Sequence, residues 1–128
     1  MKDSDLKQQD TARLAALYAE TAAEYGRALE HLSARAANRQ ADRVMAIYKE
    51  LRDRGADAQS ALLPLLDHVD PHVRRWAAFH AIEFAPQQAE VTLTDLRLSD
   101  NRIVRTLADI ALQSPLLSTQ PTKRANTP

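Results

Sequence analysis

Leu14, Leu17, Tyr18, Ala22, Tyr25, Leu29 and Leu32 recur at steps of three and four, with mostly polar side chains between them. That spacing winds an apolar stripe along one helix face and predicts a first helix from about Asp10 to His31. Gly26 falls inside it, where glycine costs about 1 kcal/mol against alanine. Either a neighbour approaches closely there or the helix is slack. A second stripe, Ala37, Ala41, Val44, Ile47, Tyr48 and Leu51, predicts a helix from about Ala36 to Arg54. Arg52 and Arg54 in its last turn and Gly55 just beyond form a stop signal, because cations favour the negative end of the helix dipole and glycine turns the chain. Four shorter helices follow. The third spans about Ala58 to His68, and Pro64 must kink it or delay its start by removing a backbone donor. The fourth opens on Asp70 as N-cap with Pro71 in the first helical position and runs to about Phe84. The fifth runs from Pro86 to about Leu98, and the sixth, capped by Ser99 or Asp100, ends near Gln113. Residues 1–9 and 115–128 read as a disordered N-terminus and tail flanking a helical domain of residues 10–114.

The third and fourth helices return in the fifth and sixth. A shift of 31 residues sets Leu62 on Leu93, Leu65 on Leu96, Val73 on Val104, Arg74 on Arg105, Trp76 on Leu107 and Ala77 on Ala108. A period in the thirties with two helices per unit marks an α-solenoid. The segment LLPLLDHVDPHVRRWAAFHAIE resembles a HEAT-like repeat of the bacterial type: an apolar helix, Asp-Pro, any residue, Val-Arg, then alanines. Leu62, Leu65, Asp70, Pro71, Val73, Arg74, Ala77 and Ala78 fill that pattern, whereas the second copy has Asn101-Arg102 in place of Asp-Pro and Asp109 in place of the second alanine. Over about residues 14–113 the stretches ANRQADRV, YKELRDRG and LLPLLDHVDPHVRRWAAFHAIEFAP also resemble a small bacterial HEAT-like family. The resemblance implies an all-α fold, a short right-handed α-solenoid of about six helices in three antiparallel pairs, and no particular reaction.

Composition narrows the chemistry. Twenty-three alanines against two glycines fit an all-α class, since hairpins and phosphate-cradling loops need glycine for positive φ. No cysteine occurs, which removes disulfides, thiolate nucleophiles and Cys-type zinc sites and suits a reducing compartment such as the bacterial cytoplasm. The polar start MKDSDLKQQD reads as no secretory signal, and no apolar run approaches the ~20 residues that span a bilayer. Seventeen acidic and seventeen basic side chains cancel, which argues against a main task of gripping nucleic acid.

Three of the four histidines, the only tryptophan and an Arg-Arg pair lie in DHVDPHVRRWAAFHAIEFAP. His68 and His72 are four apart, but the Asp70 cap and Pro71 assign them to different helices. His72 and His80 are eight apart, about 12 Å along an axis, too far to share an ion. No metal site and no cofactor are expected. Trp76 and His80 share a face with Val73, Ala77 and Phe84, which is either core or the lining of a concave partner-binding groove. Arg74 and Arg105 occupy equivalent positions, which suits structural stacking, with Asp70 or Asp67 as ion-pair partner for Arg74; the alternative is an anion site. Arg35, Arg39 and Arg43 form a basic stripe on the second helix, where residues 35–54 hold six positive and three negative side chains, a surplus of three. That face is either simply solvated or turned to an acidic partner. No nucleophile–base pairing, carboxylate pair or Gly-rich loop is readable, so no catalytic residue is assigned. The expected function is a non-catalytic module that binds a protein partner of adaptor or immunity type, with nucleic-acid binding or a small enzyme as alternatives.

Overall fold

Helices connected by short turns make up the described residues, 3–118, of the computed structural model, and no strand occurs among them. They are α1 (Asp3–Leu6), α2 (Thr11–Glu30), α3 (Ala34–Arg54), α4 (Ala56–Ser60), a 3₁₀ segment (Leu63–Asp67), α5 (Pro71–Ala81), α6 (Pro86–Leu96), α7 (Arg102–Ala111) and α8 (Pro115–Ser118). Asp10 caps α2 by accepting from the amide of Arg13, and Ser33 caps α3 by accepting from that of Ala36. Between them Leu32 takes φ 57°, a left-handed conformation usually given to glycine at a helix end, and its side chain is 89% exposed.

α2 and α3 run antiparallel and join their stripes. Leu14, Leu17, Tyr18 and Ala22 meet Val44, Ile47, Tyr48 and Leu51 in one core. The third helix expected over Ala58–His68 is broken at its proline. α4 ends at Ser60, and Pro64 instead sits in the first turn of the 3₁₀ segment. Asp70 caps α5 through the amide of His72 and Pro71 opens the helix, but α5 closes at Ala81 rather than Phe84. α5 is the centre of the molecule, packed by α2, the 3₁₀ segment, α6 and α7. Eight of its eleven residues are buried, among them His72, Arg75, Trp76 and His80.

α5 runs antiparallel to α2, with His72 at Gly26 and His80 at Tyr18. A Cβ on Gly26 would lie 2.4 Å from His72 Cδ2 and 2.9 Å from its Cβ, so glycine is there because the imidazole rests on the α2 backbone. Close contact, not slack, accounts for this residue.

Some residues 31 positions apart make equivalent hydrogen bonds. Arg74 donates to the carbonyls of His68 (2.6 Å) and Val69 (3.2 Å), and Arg105 donates to that of Ser99 (2.8 Å). Each arginine thus ties down the turn before its own helix, and the ion pair expected between Arg74 and Asp70 or Asp67 is not formed. Backbone carbonyls at the helix entry lie nearer than either carboxylate. Asp70 and Asn101 are equivalent caps, and their own amides donate to His68 Nδ1 and Ser99 Oγ. The sixth helix is therefore capped by Asn101, not by Ser99 or Asp100.

Asn101 also has a physical reason to differ from Asp70. Its amide donates at 2.5 Å to Glu30 at the end of α2, while Glu30 accepts from His72 Nε2 at 2.9 Å. One carboxylate joins α2, α5 and α7, and these bonds hold Glu30 below the usual carboxylate range, Asn101 first and His72 next. Asn101→Asp is expected to keep the cap but set two carboxylates against each other. Glu30 is 41% exposed and its repulsion screened, so the loss relative to Asn101→Ser should be about 1 kcal/mol or less in urea unfolding at neutral pH.

Parts of both ends expected to be disordered are helical and packed on the domain. Leu6 is 5% exposed, and Arg54 fastens the end of α1 by donating to the carbonyls of Leu6 and Lys7. At the other end Leu117 of α8 is fully buried. Leu6, isolated between polar residues, finds an apolar seat that the local composition does not announce. The remainder of those ends, residues 1–2 and 119–128, lies outside the described residues.

Candidate functional site

α3 and the C-terminal end of α5 meet through side chains and leave a cleft of about 440 Å³ between them. Tyr48 stands at its centre. One face of its ring lies on the His80 imidazole, with centroids 4.0 Å apart and planes 9° from parallel. Its hydroxyl donates to Glu83 Oε1 at 2.5 Å and accepts from Gln59 Nε2 at 2.9 Å. Arg52, one turn along α3, reaches the other Glu83 oxygen at 3.4 Å. Both carboxylate oxygens are therefore engaged. Burial first, and the hydrogen bond to Glu83 next, push the Tyr48 phenol up to about 12, so it stays protonated and remains the donor.

His80 forms the floor. Its Nδ1 lies 2.6 Å from the Tyr18 hydroxyl, a bond between two buried groups. Burial, then the charges of Arg75 and Arg52, bring the imidazole down to about 3, so it is neutral at pH 7. Burial likewise raises Tyr18 well above the ordinary tyrosine value. At the mouth stand Met45, Phe79 and Leu116, each between two-fifths and just over half exposed, with Lys49 and Arg52 along the α3 side. Among the described residues no three His, Asp or Glu side chains gather where they could hold a metal ion, and no helix is long and apolar enough to cross a membrane.

Of the expected partner-binding residues, only His80 borders the cleft. Trp76 and His80 belong to the core, at 5% and 8% exposure, with only an edge of His80 reaching the cleft floor. Trp76 does not line the cleft, because α2 covers its face of α5. Tyr25 meets Trp76 edge-on at 5.1 Å, and Arg75 lies 4.5 Å over the indole ring. Arg35 and Arg39 are exposed and Arg43 half-buried, on the flank of α3 that two turns later carries Glu50, the partner of Lys7 and Arg54. Met45, Tyr48 and Arg52 lie on a different flank, so the basic stripe and the cleft do not form one surface.

Sequence reasoning passed over Tyr48, Gln59 and Glu83. Tyr48 is rightly placed in an apolar stripe, and the clue was its hydroxyl, which needs a partner once the ring is buried. The phenol keeps its proton, the imidazole stays neutral, and the carboxylate is held by two donors.

Neither the curated proteins nor the solved structures contain a significant match to the chain. A family model matches residues 12–111, from α2 to the end of α7. The chain belongs to that family, described as a domain of unknown function (DUF2019).

Proposed function

We propose that this chain is a non-catalytic interaction module with a HEAT-like, right-handed solenoid arrangement, which binds a protein partner in the α3–α5 cleft. The repeated Arg74 and Arg105 contacts and the paired Asp70 and Asn101 caps support the solenoid reading, since equivalent residues make equivalent bonds one period apart. One observation carries the binding reading: Met45, Phe79 and Leu116 hold apolar surface in solvent around a cleft whose polar groups already bond one another. A partner side chain entering there gains apolar burial without leaving a donor or acceptor stranded. The Arg35, Arg39 and Arg43 stripe, with no ion pair among the described residues, favours an acidic surface on the same partner. Absence of cysteine suits work in a reducing cytoplasm, as adaptor or immunity protein.

Met45→Asp and Phe79→Asp test this. Both positions are more than two-fifths exposed. The variants are expected to keep the far-ultraviolet helical spectrum and to bind at least about tenfold more weakly, a loss of roughly 1.4 kcal/mol that exceeds the cost at most interface positions. Quantitative pull-down from the native host, comparing wild type with each variant, reads the outcome. Equal recovery of every captured protein would reject the cleft as the binding surface.

A further inference from the structure

His72 Nδ1, Arg75 Nε and Trp76 Nε1 are buried nitrogens with no hydrogen-bond partner. Positions i, i+3 and i+4 share a helix face, so all three lie on the side of α5 turned to α2. Tyr25 of α2 packs against each of these side chains. Its ring is edge-on to His72 at 6.5 Å and to Trp76 at 5.1 Å, and 5.6 Å from the Arg75 guanidinium carbon. Arg75 is 6% exposed and forms no ion pair with a described carboxylate. A hydrogen bond to Tyr25 and the Tyr25 and Trp76 faces offset only part of the cost of burying its charge, and a well-placed anion would offset more.

The same face continues on the next repeat. Adding 31 carries His72, Arg75 and Trp76 to Ile103, Thr106 and Leu107 of α7, and these three line an apolar groove of about 480 Å³. Tyr25, Leu29 and Leu32 form its opposite wall. Tyr25 thus packs against the side chains that carry the unsatisfied nitrogens and also borders the groove. Leu32 stands at the groove in its left-handed conformation, where glycine would be unstrained but would give no apolar wall.

We propose that the groove and the Arg75 face form one site for a small amphipathic monocarboxylate, its apolar body in the groove and its carboxylate on Arg75 and the Trp76 N–H. The guanidinium fork matches a carboxylate, and one positive charge balances one carboxylate, whereas a doubly charged phosphate would leave buried negative charge unbalanced. The groove volume lies within the usual range for small-molecule sites. Entry to Arg75 requires the half-buried Tyr25 ring to turn aside. This site is separate from the α3–α5 cleft and does not depend on the protein-binding reading.

Trp76 is the chain's only tryptophan, so its fluorescence reports on the site without a label. Octanoate at constant ionic strength is expected to change that emission saturably, and octan-1-ol to bind at least about tenfold more weakly. Arg75→Met should lose the octanoate response while melting at the same or a higher temperature, because an apolar side chain of similar reach removes a desolvation penalty. Arg75→Lys, which keeps the charge without the fork, should bind octanoate at least about fivefold more weakly than wild type. The proposal is overturned by octanol binding as tightly as octanoate, by undiminished binding in either variant, or by no saturation up to about 10 mM, beyond the weak end of specific affinity.

Discussion

Trp76→Ala is expected to lower the unfolding free energy by about 3–5 kcal/mol, a large part of what a domain of this size has. The indole is 5% exposed and packed on several sides. Tyr25 and Phe79 meet it edge-on at 5.1 and 5.9 Å, His80 stacks against it at 5.7 Å, and the Arg75 guanidinium lies over its ring. Truncation would remove the support shared by these four side chains and leave a cavity that α5, packed by neighbouring elements, can close only in part. Urea unfolding with the m-value held constant reads this directly. A tryptophan lining an open groove would give the opposite result, with little loss of stability and a loss of binding. A change below about 1 kcal/mol, the scale of a surface substitution, would place Trp76 outside the core.

The contrast between core and groove at this residue marks the limit of what the pattern carried. Local rules were strong where one residue type answers one backbone need. Asp70 and Pro71 start α5 and Pro64 breaks the segment before it, whereas Gly26 left close contact and slack open until the His72 ring decided for contact. Periodicity locates an apolar face only when the opposite face meets water. α5 is enclosed on several sides, so Arg75 and His72 are nearly as buried as Val73, and nothing in a 3.6-residue period distinguishes a charged residue in the interior from one at the surface. Cross-chain partners were invisible for a different reason. Tyr48 and Glu83 are 35 residues apart and Glu30 and Asn101 are 71 apart, so only the folded packing of α2, α3, α5 and α7 makes either pair. Asn101 is instructive here. As a break in a repeat motif it reads as decay, yet its amide supplies a donor to Glu30 that an aspartate could not.

As pH falls from 7 to 4, wild-type stability is expected to drop by about 3 kcal/mol more than that of His80→Asn. The folded-state imidazole is brought down to about 3, against an ordinary value near 6.5 in the unfolded chain. Between those values the unfolded state binds a proton that the folded state refuses, so stability rises with pH across that window. The contribution is whole above about 6.5 and is lost progressively toward 3. At pH 4 the gap is roughly 2.5 pH units at about 1.4 kcal/mol each, which sets the size of the effect. The physical cause is enclosure. Tyr48 lies on one face of the ring, Trp76 stacks near it and Tyr18 holds Nδ1, while the charges of Arg75 and Arg52 oppose a third positive group. Asparagine keeps an amide near the place of Nδ1 and does not titrate. Glu24, Glu30, Glu50 and Asp53, all held below their usual range by hydrogen-bonding partners, also weaken the folded state in acid, but equally in both proteins. They cancel in the difference. Unfolding curves for the two proteins that stay parallel from pH 7 to 4 would show that His80 accepts a proton in the folded state, and that the floor of the cleft is open to water rather than sealed by Tyr18 and Tyr48.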